Sequence, residues 1–189
     1  MAKDYGLKRR TFLKTTAVGT VGLGLIGSGK MEAGAGFQEK GAIKIREYRS
    51  YGKTGFKVSD IALGGVTNIP VIQAMLDAGV NYIDTAESYS RGQSEIAMGK
   101  AIKGRDRKKL FINTKLHIKE NETKDEIINR FEACLKRLDT PYIDSLMTHN
   151  PRTLAMVTYE PFHQACSQVK KEKKLRFTGI SSHGPRHGS

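Results

Sequence analysis

Asn81–Glu95, NYIDTAESYSRGQSE, decides how the rest of the chain is read. With Val80 ahead of it, the stretch opens as a short apolar run between Gly79 and polar sequence. That is the pattern of a buried strand in a parallel sheet. The expected strand, Val80–Asp84, ends on an acid; Tyr89 follows in a Ser/Gly-containing loop, and helical sequence runs from about Gln93 to Lys103. An acid at the C-terminal tip of a buried strand has few structural uses, because strand tips in α/β folds face the cleft where ligands bind.

Outward from this stretch the same alternation repeats. Strands are expected at Val58–Leu63, Val80–Asp84, Leu110–Lys115, Tyr142–Thr148 and Leu175–Ser181. Between them, Ile69–Ala78 puts Ile69, Ile72, Met75 and Leu76 on one helical face, with Gly79 as its stop. Thr123 and Glu126 form a capping box for a helix reaching Leu138, and a further helix is expected from about Glu160 to Lys174. A strand–helix repeat of roughly thirty residues predicts an α/β fold with a parallel sheet or barrel. Ahead of it, Ile43–Ser59 alternates and turns at Lys53-Thr54-Gly55, which predicts a β-hairpin.

The strand ends share a character. Asp84, Lys115, His149 and Ser181-Ser182-His183 stand at successive C-terminal tips, where a barrel places its chemistry. The segments YGKTGFKVSDIALGG, YIDTAESY, FINTK, RFEACLKRLDTPYIDSLMTHNP and FTGISSH, between Tyr48 and His183, resemble the aldo-keto reductase superfamily. The resemblance implies a (β/α)8 TIM-type barrel, a tetrad of Asp84, Tyr89, Lys115 and His149, and NADPH as cofactor. It also implies that Ser181 and Ser182 meet the nicotinamide carboxamide and that Gly64, Gly65 and Val66 line its approach. Ser182 departs from the asparagine usual at that position.

The tetrad also makes sense as chemistry. Carbonyl reduction needs a hydride, which no side chain supplies, and a proton for the developing alkoxide. Free tyrosine, with a pKa of roughly 10, is a slow acid near neutrality. A lysine cation beside it favours the phenolate, an aspartate holds that lysine, and a histidine can hydrogen-bond the substrate oxygen. Two other readings compete. Asp84–Lys115 can be a buried ion pair with packed neighbours, and His117, His149 and His183 can be metal ligands of a barrel hydrolase, although the closely spaced histidine pair usual there is missing.

Residues 1–35 read as a targeting segment ahead of a domain at 36–189. Lys8-Arg9-Arg10-Thr11-Phe12-Leu13-Lys14 precedes a weakly apolar stretch, Thr15–Gly29, and the small residues Ala33-Gly34-Ala35. The layout resembles a twin-arginine signal, which exports folded proteins, so a periplasmic or other extracytoplasmic location is expected, with membrane contact only during export. The chain carries a net charge of +13 over 189 residues. Much of that charge lies in Lys103–Lys109 and Lys170–Arg176, runs that close helices without aromatic interleaving and so point away from nucleic acid. Cys134 and Cys166 read as packing residues.

Only five strand–helix units precede Ser189, so an incomplete barrel is expected. Two functions follow: an NADPH-dependent reductase of a small carbonyl substrate, or a non-catalytic cofactor- or partner-binding fragment of such a protein.

Overall fold

The computed structural model describes residues 45–184, so the targeting segment expected at 1–35 lies outside the described residues. Strands β1 (Tyr48–Ser50) and β2 (Lys57–Ser59) form an antiparallel hairpin in which Tyr48 faces Ser59. Its turn is held by Tyr51 N donating to Phe56 O at 2.9 Å and Thr54 Oγ1 donating to Tyr51 O at 2.6 Å. Strands β3 (Tyr82–Asp84), β4 (Phe111–Leu116), β5 (Ile143–His149) and β6 (Leu175–Ser181) then build one parallel sheet in chain order. Helices α1 (Ile69–Asp77), α2 (Gln93–Ile102), α3 (Lys124–Leu138), α4 (Leu154–Val157) and α5 (Glu160–Lys171) lie between or before them.

Local chemistry sets the boundaries. Asn68 caps α1 by accepting from Val71 N at 3.1 Å, Pro70 sits in the first turn, and Gly79 at φ +101° turns the chain toward β3. Thr123 and Glu126 make the reciprocal capping box at the start of α3, and Asp139 ends that helix in a left-handed conformation. Helix α5 stops at Lys171, short of the expected Lys174, with Lys173 at φ 60°.

The first expected strand, Val58–Leu63, divides. Lys57–Ser59 is committed to the hairpin, and the chain then bends, with Asp60 N donating to Glu47 O at 3.0 Å. Only Leu63 reaches the parallel sheet, as a single bridge to Ile83, where Leu63 N donates to Tyr82 O at 2.9 Å and Asp84 N to Leu63 O at 2.7 Å. Gly64 and Gly65 follow with no side chain to bury, and Ile61 remains 48% exposed.

The two faces of the sheet do different work. On the helix side Leu63, Ile83, Ile112, Leu116 and Leu146 pack with Ile72, Met98, Phe131 and Phe162 in one continuous core. The other face carries an aromatic floor at its N-terminal end. Phe111 lies 5.1 Å from Tyr51, 5.5 Å from Phe56, 5.6 Å from Tyr82 and 6.2 Å from Phe177, ring centre to ring centre. The hairpin thus covers the base of the sheet.

The basic runs are more specific than helix-end cations. Asp144, whose side chain is fully buried, accepts from Arg107 Nη2 at 2.7 Å, Arg176 Nη1 at 2.8 Å and Ile112 N at 2.9 Å. Arg107 also donates to the carbonyls of Leu110 and Tyr142 and lies 4.0 Å over the Tyr142 ring. Lys174 pairs with both Glu132 and Glu172.

Candidate active site

At the opposite, C-terminal end of the sheet, the chain leaves β3 at Asp84 and follows the end of β4. Thr85 N donates to Asn113 O at 2.9 Å and Glu87 N to Lys115 O at 3.2 Å. Thr85 Oγ1 donates to Ser94 Oγ at 2.9 Å, pinning this loop to the start of α2. A short 3-10 turn, Tyr89–Gly92, then reverses direction through Ser90 and Arg91, both left-handed at φ 50° and 54°. Tyr89 is thereby folded back over the strand tips. A Cβ on Gly65 would come within 2.6 Å of Tyr89 Cδ2, so only glycine allows the ring this seat.

Lys115 is the hub. It is 3% exposed, and its ammonium donates to Asp84 Oδ2 at 2.7 Å, Thr85 O at 3.0 Å and the Tyr89 hydroxyl at 3.2 Å. All three of its hydrogens are therefore used. The Tyr89 oxygen accepts from Lys115, which leaves the phenol's own proton free to be donated elsewhere. Asp84 is fixed by a second contact, Asn113 Nδ2 donating to Oδ1 at 2.6 Å.

His149, 7% exposed, meets the Tyr89 ring edge-on at 5.5 Å and stacks on His117 at 4.2 Å with ring planes 17° apart. Burial first, then the neighbouring His117, Lys115 and His183, push its pKa down to about 4. The imidazole is therefore neutral at neutral pH, carrying one donor and one acceptor. Ser88 Oγ lies 3.5 Å from Nδ1, at the outer limit of a hydrogen bond.

The structure brings Asp84, Tyr89, Lys115 and His149 together. Ser181 pairs with His149 in register, and its carbonyl accepts from Asn150 N at 2.5 Å. Ser182 is exposed and its Oγ accepts from Gly184 N at 3.3 Å. Val66 packs against the helix-side core. His117 and His149 stack with nearly parallel rings and do not aim their lone pairs at one point. Among the described residues no group of three potential metal ligands is found.

Sequence reasoning missed the supporting residues. Asn113 lies two positions before Lys115 and on the same strand face, so strand alternation alone could have flagged it. Arg130 of α3 holds Glu87 with two nitrogens and also reaches Glu122 Oε1 at 2.5 Å and His117 O at 2.9 Å, tying together the loops that carry Tyr89 and His117. Glu95, fully buried, accepts from Thr114 at 2.6 Å and Arg137 at 2.6 Å. A concavity of 630 Å³ lies at the other end of the sheet between Tyr48, Phe56, Leu76 and Leu110, away from all of these groups. Chemistry rather than volume locates the site.

A parallel α/β sheet with a hairpin at its base and four polar side chains joined at its strand tips defines a barrel-type α/β protein with its site at the C-terminal face. The model of the aldo/keto reductase family matches residues 56–188, and the chain belongs to that family. The aldo-keto reductase YhdN of Bacillus subtilis is 36% identical over 157 residues, covering 72% of this chain and 47% of that protein. A putative voltage-gated potassium channel subunit beta of Schizosaccharomyces pombe is 34% identical over 155 residues, covering 71% and 44%. The holo form of aldo-keto reductase AKR11C1 from Bacillus halodurans superposes with a TM-score of 0.64 at 29% identity, over 74% of this chain and 51% of that one. The chain spans about half the length of the curated relatives it matches.

Proposed function

We propose that the protein takes part in NADPH-dependent reduction of aldehyde or ketone carbonyls to alcohols. The observation that carries this reading is the Lys115 ammonium, bonded at once to Asp84 and to the Tyr89 hydroxyl beside a neutral His149. When bound, the nicotinamide supplies the hydride. Ser181 and Ser182, with Gly65 and Val66 on the facing loop, are the residues proposed to hold it.

The remaining work falls to the chain. Tyr89 releases its proton to the developing alkoxide, and the negative charge left on its oxygen faces Lys115 Nζ at 3.2 Å. Asp84 keeps that ammonium in place, and Asn113 keeps Asp84 in place. His149, uncharged, donates a hydrogen bond to the carbonyl oxygen and orients it without competing as an acid.

Tyr89→Phe tests the assignment, because the ring's packing stays and only the proton donor goes. Turnover of a simple aldehyde should fall about 10²–10⁴-fold with NADPH affinity nearly unchanged. A variant within a few-fold of the parent would remove Tyr89 from the role.

Export by the twin-arginine machinery to the periplasm is part of the same proposal, supported by Arg9 and Arg10 ahead of a weakly apolar stretch. A second reading has one observation behind it: the Schizosaccharomyces pombe relative carries the name of a channel subunit. On that reading the site binds NADPH without turnover, and steady-state assay with several aldehydes separates the two.

A further inference from the structure

Arg130 lies on α3, outside the cluster of Asp84, Tyr89, Lys115 and His149, yet it holds both loops that bear on that cluster. Its Nε donates to Glu87 Oε2 at 3.2 Å and its Nη2 to Glu87 Oε1; Nη2 also donates to the His117 carbonyl at 2.9 Å, and Nη1 to Glu122 Oε1 at 2.5 Å. Glu87 stands just ahead of Ser88, whose Oγ is 3.5 Å from His149 Nδ1, and of Tyr89, whose ring meets His149 edge-on. His117, itself exposed, lays its ring along that of His149. Exposed ion pairs contribute little, and Arg49–Glu47, with side chains 70% and 55% exposed, is of that kind. The Arg130, Glu87 and Glu122 side chains are only 25%, 19% and 12% exposed. The loop also needs holding, because Ser90 and Arg91 adopt left-handed backbone directly after Tyr89. Helix α3 can supply the hold: a capping box fixes its start, and Ile127 and Phe131, on either side of Arg130 in sequence, are buried in the core.

We propose that Arg130 is a positioning residue of the site: it locks the loop bearing Tyr89 to the loop bearing His117, and so sets Tyr89 and His149 for reaction with the carbonyl. The inference rests on the reduction proposed above. Arg130 touches none of the reacting groups; it acts through the Glu87 carboxylate on Tyr89 and through the His117 backbone on His149. The planar fork is essential to this role, because its N–H groups point in fixed and different directions toward three acceptors. An ammonium carries the same charge as one point and cannot span them. Misplacing a reacting group by about 1 Å through a change distant from the chemistry costs roughly 10²-fold in rate. The loss belongs to kcat, since Arg130 contacts neither Ser181 nor Ser182, Gly65 or Val66, the residues proposed to hold the cofactor.

The test uses the full chain with NADPH and benzaldehyde, and compares Arg130→Lys and Arg130→Ala with the parent. Both variants should lose about 10–100-fold in kcat while the KM for NADPH stays nearly unchanged. Arg130→Lys keeps the charge and should keep the melting temperature within a few degrees, which separates lost positioning from a damaged fold. Millimolar guanidinium ion should restore part of the turnover of Arg130→Ala, and ammonium at the same concentration should not. A kcat for Arg130→Lys within a few-fold of the parent would overturn the proposal. So would a loss confined to the KM for NADPH, or equal rescue by ammonium, which would reduce the role to charge alone. If the parent does not turn over benzaldehyde, the reduction reading fails on its own, and amide hydrogen exchange decides the clamp. Faster exchange in Arg130→Lys across both residues 85–92 and residues 116–122, with β5 unchanged, supports it; unchanged exchange in either loop overturns it.

Discussion

Lys115 and Asp84 form a pair whose two halves are unequally buried, and the inequality can be measured. The Lys115 side chain is 4% exposed and that of Asp84 29%. Take Asp84→Asn first. The ammonium loses its only carboxylate and keeps a carbonyl at 3.0 Å and a phenol at 3.2 Å, in a place that water hardly reaches. Breaking a buried pair so that a charge is stranded costs about 3–5 kcal/mol. Lys115→Met strands the other partner, but Asp84 still accepts from Asn113 at 2.6 Å and touches solvent, so the loss should be nearer 2 kcal/mol. The double variant leaves no unpaired charge and should recover part of the larger loss, giving a coupling of roughly 1–3 kcal/mol. Urea denaturation at pH 7, followed by far-UV circular dichroism, supplies all four corners of the cycle. Two results would refute the reasoning: Lys115→Met costing as much as Asp84→Asn, or the double variant equalling the sum of the singles.

Further outcomes are expected. Asp144→Asn should destabilise by about 3–5 kcal/mol in the same assay, because it leaves the half-buried Arg107 without a counter-charge. Arg176→Met, at a side chain 42% exposed, should cost under about 1 kcal/mol, and reversal of that order would contradict the buried role of Asp144. His149, with its folded pKa pushed down to about 4, stays neutral while the unfolded chain takes up a proton below the ordinary 6.5. Its contribution is therefore intact above that pH and is lost as pH falls toward 4, by at most roughly 3 kcal/mol. A His149→Gln variant whose urea midpoint falls as steeply as the parent's between pH 7 and 4.5 would count against this. Replacing Arg9 and Arg10 by lysine should keep the precursor in the cytoplasm, and cell fractionation showing normal export would dismiss the twin-arginine proposal.

Much of this arrangement could be read without coordinates, for physical reasons. Apolar runs ending in Asp84, His149 and Ser181 announce buried strands with polar tips, and Thr123 with Glu126 announces the start of α3. The residue types of the tetrad were visible, as was the expectation that Asp84 holds Lys115 beside Tyr89; the Thr85 carbonyl and the Asn113 amide that complete the arrangement were not. What escaped depends on partners distant in sequence. Val58–Leu63 has the composition of a strand, but the hairpin takes the backbone groups of Lys57–Ser59 and leaves Leu63 alone to meet Ile83. Arg107 looks like one cation in a solvated run until Asp144 supplies its place. Ser90 and Arg91 adopt left-handed backbone with no glycine or asparagine to signal it, a local cost upheld by the contacts around Tyr89.

The aromatic floor has a consequence for how the chain is made. Tyr51 and Phe56 meet Phe111, and Phe111 meets Phe177, so the floor spans most of the described sequence and its closure carries a large loop entropy. The β1–β2 hairpin can pair as soon as it leaves the ribosome, but its rings have nowhere to dock until Tyr82 and Phe111 are synthesised. Until then these aromatic faces are open to chaperones and to aggregation. Phe177 of β6 then closes the far side of the floor against Phe111.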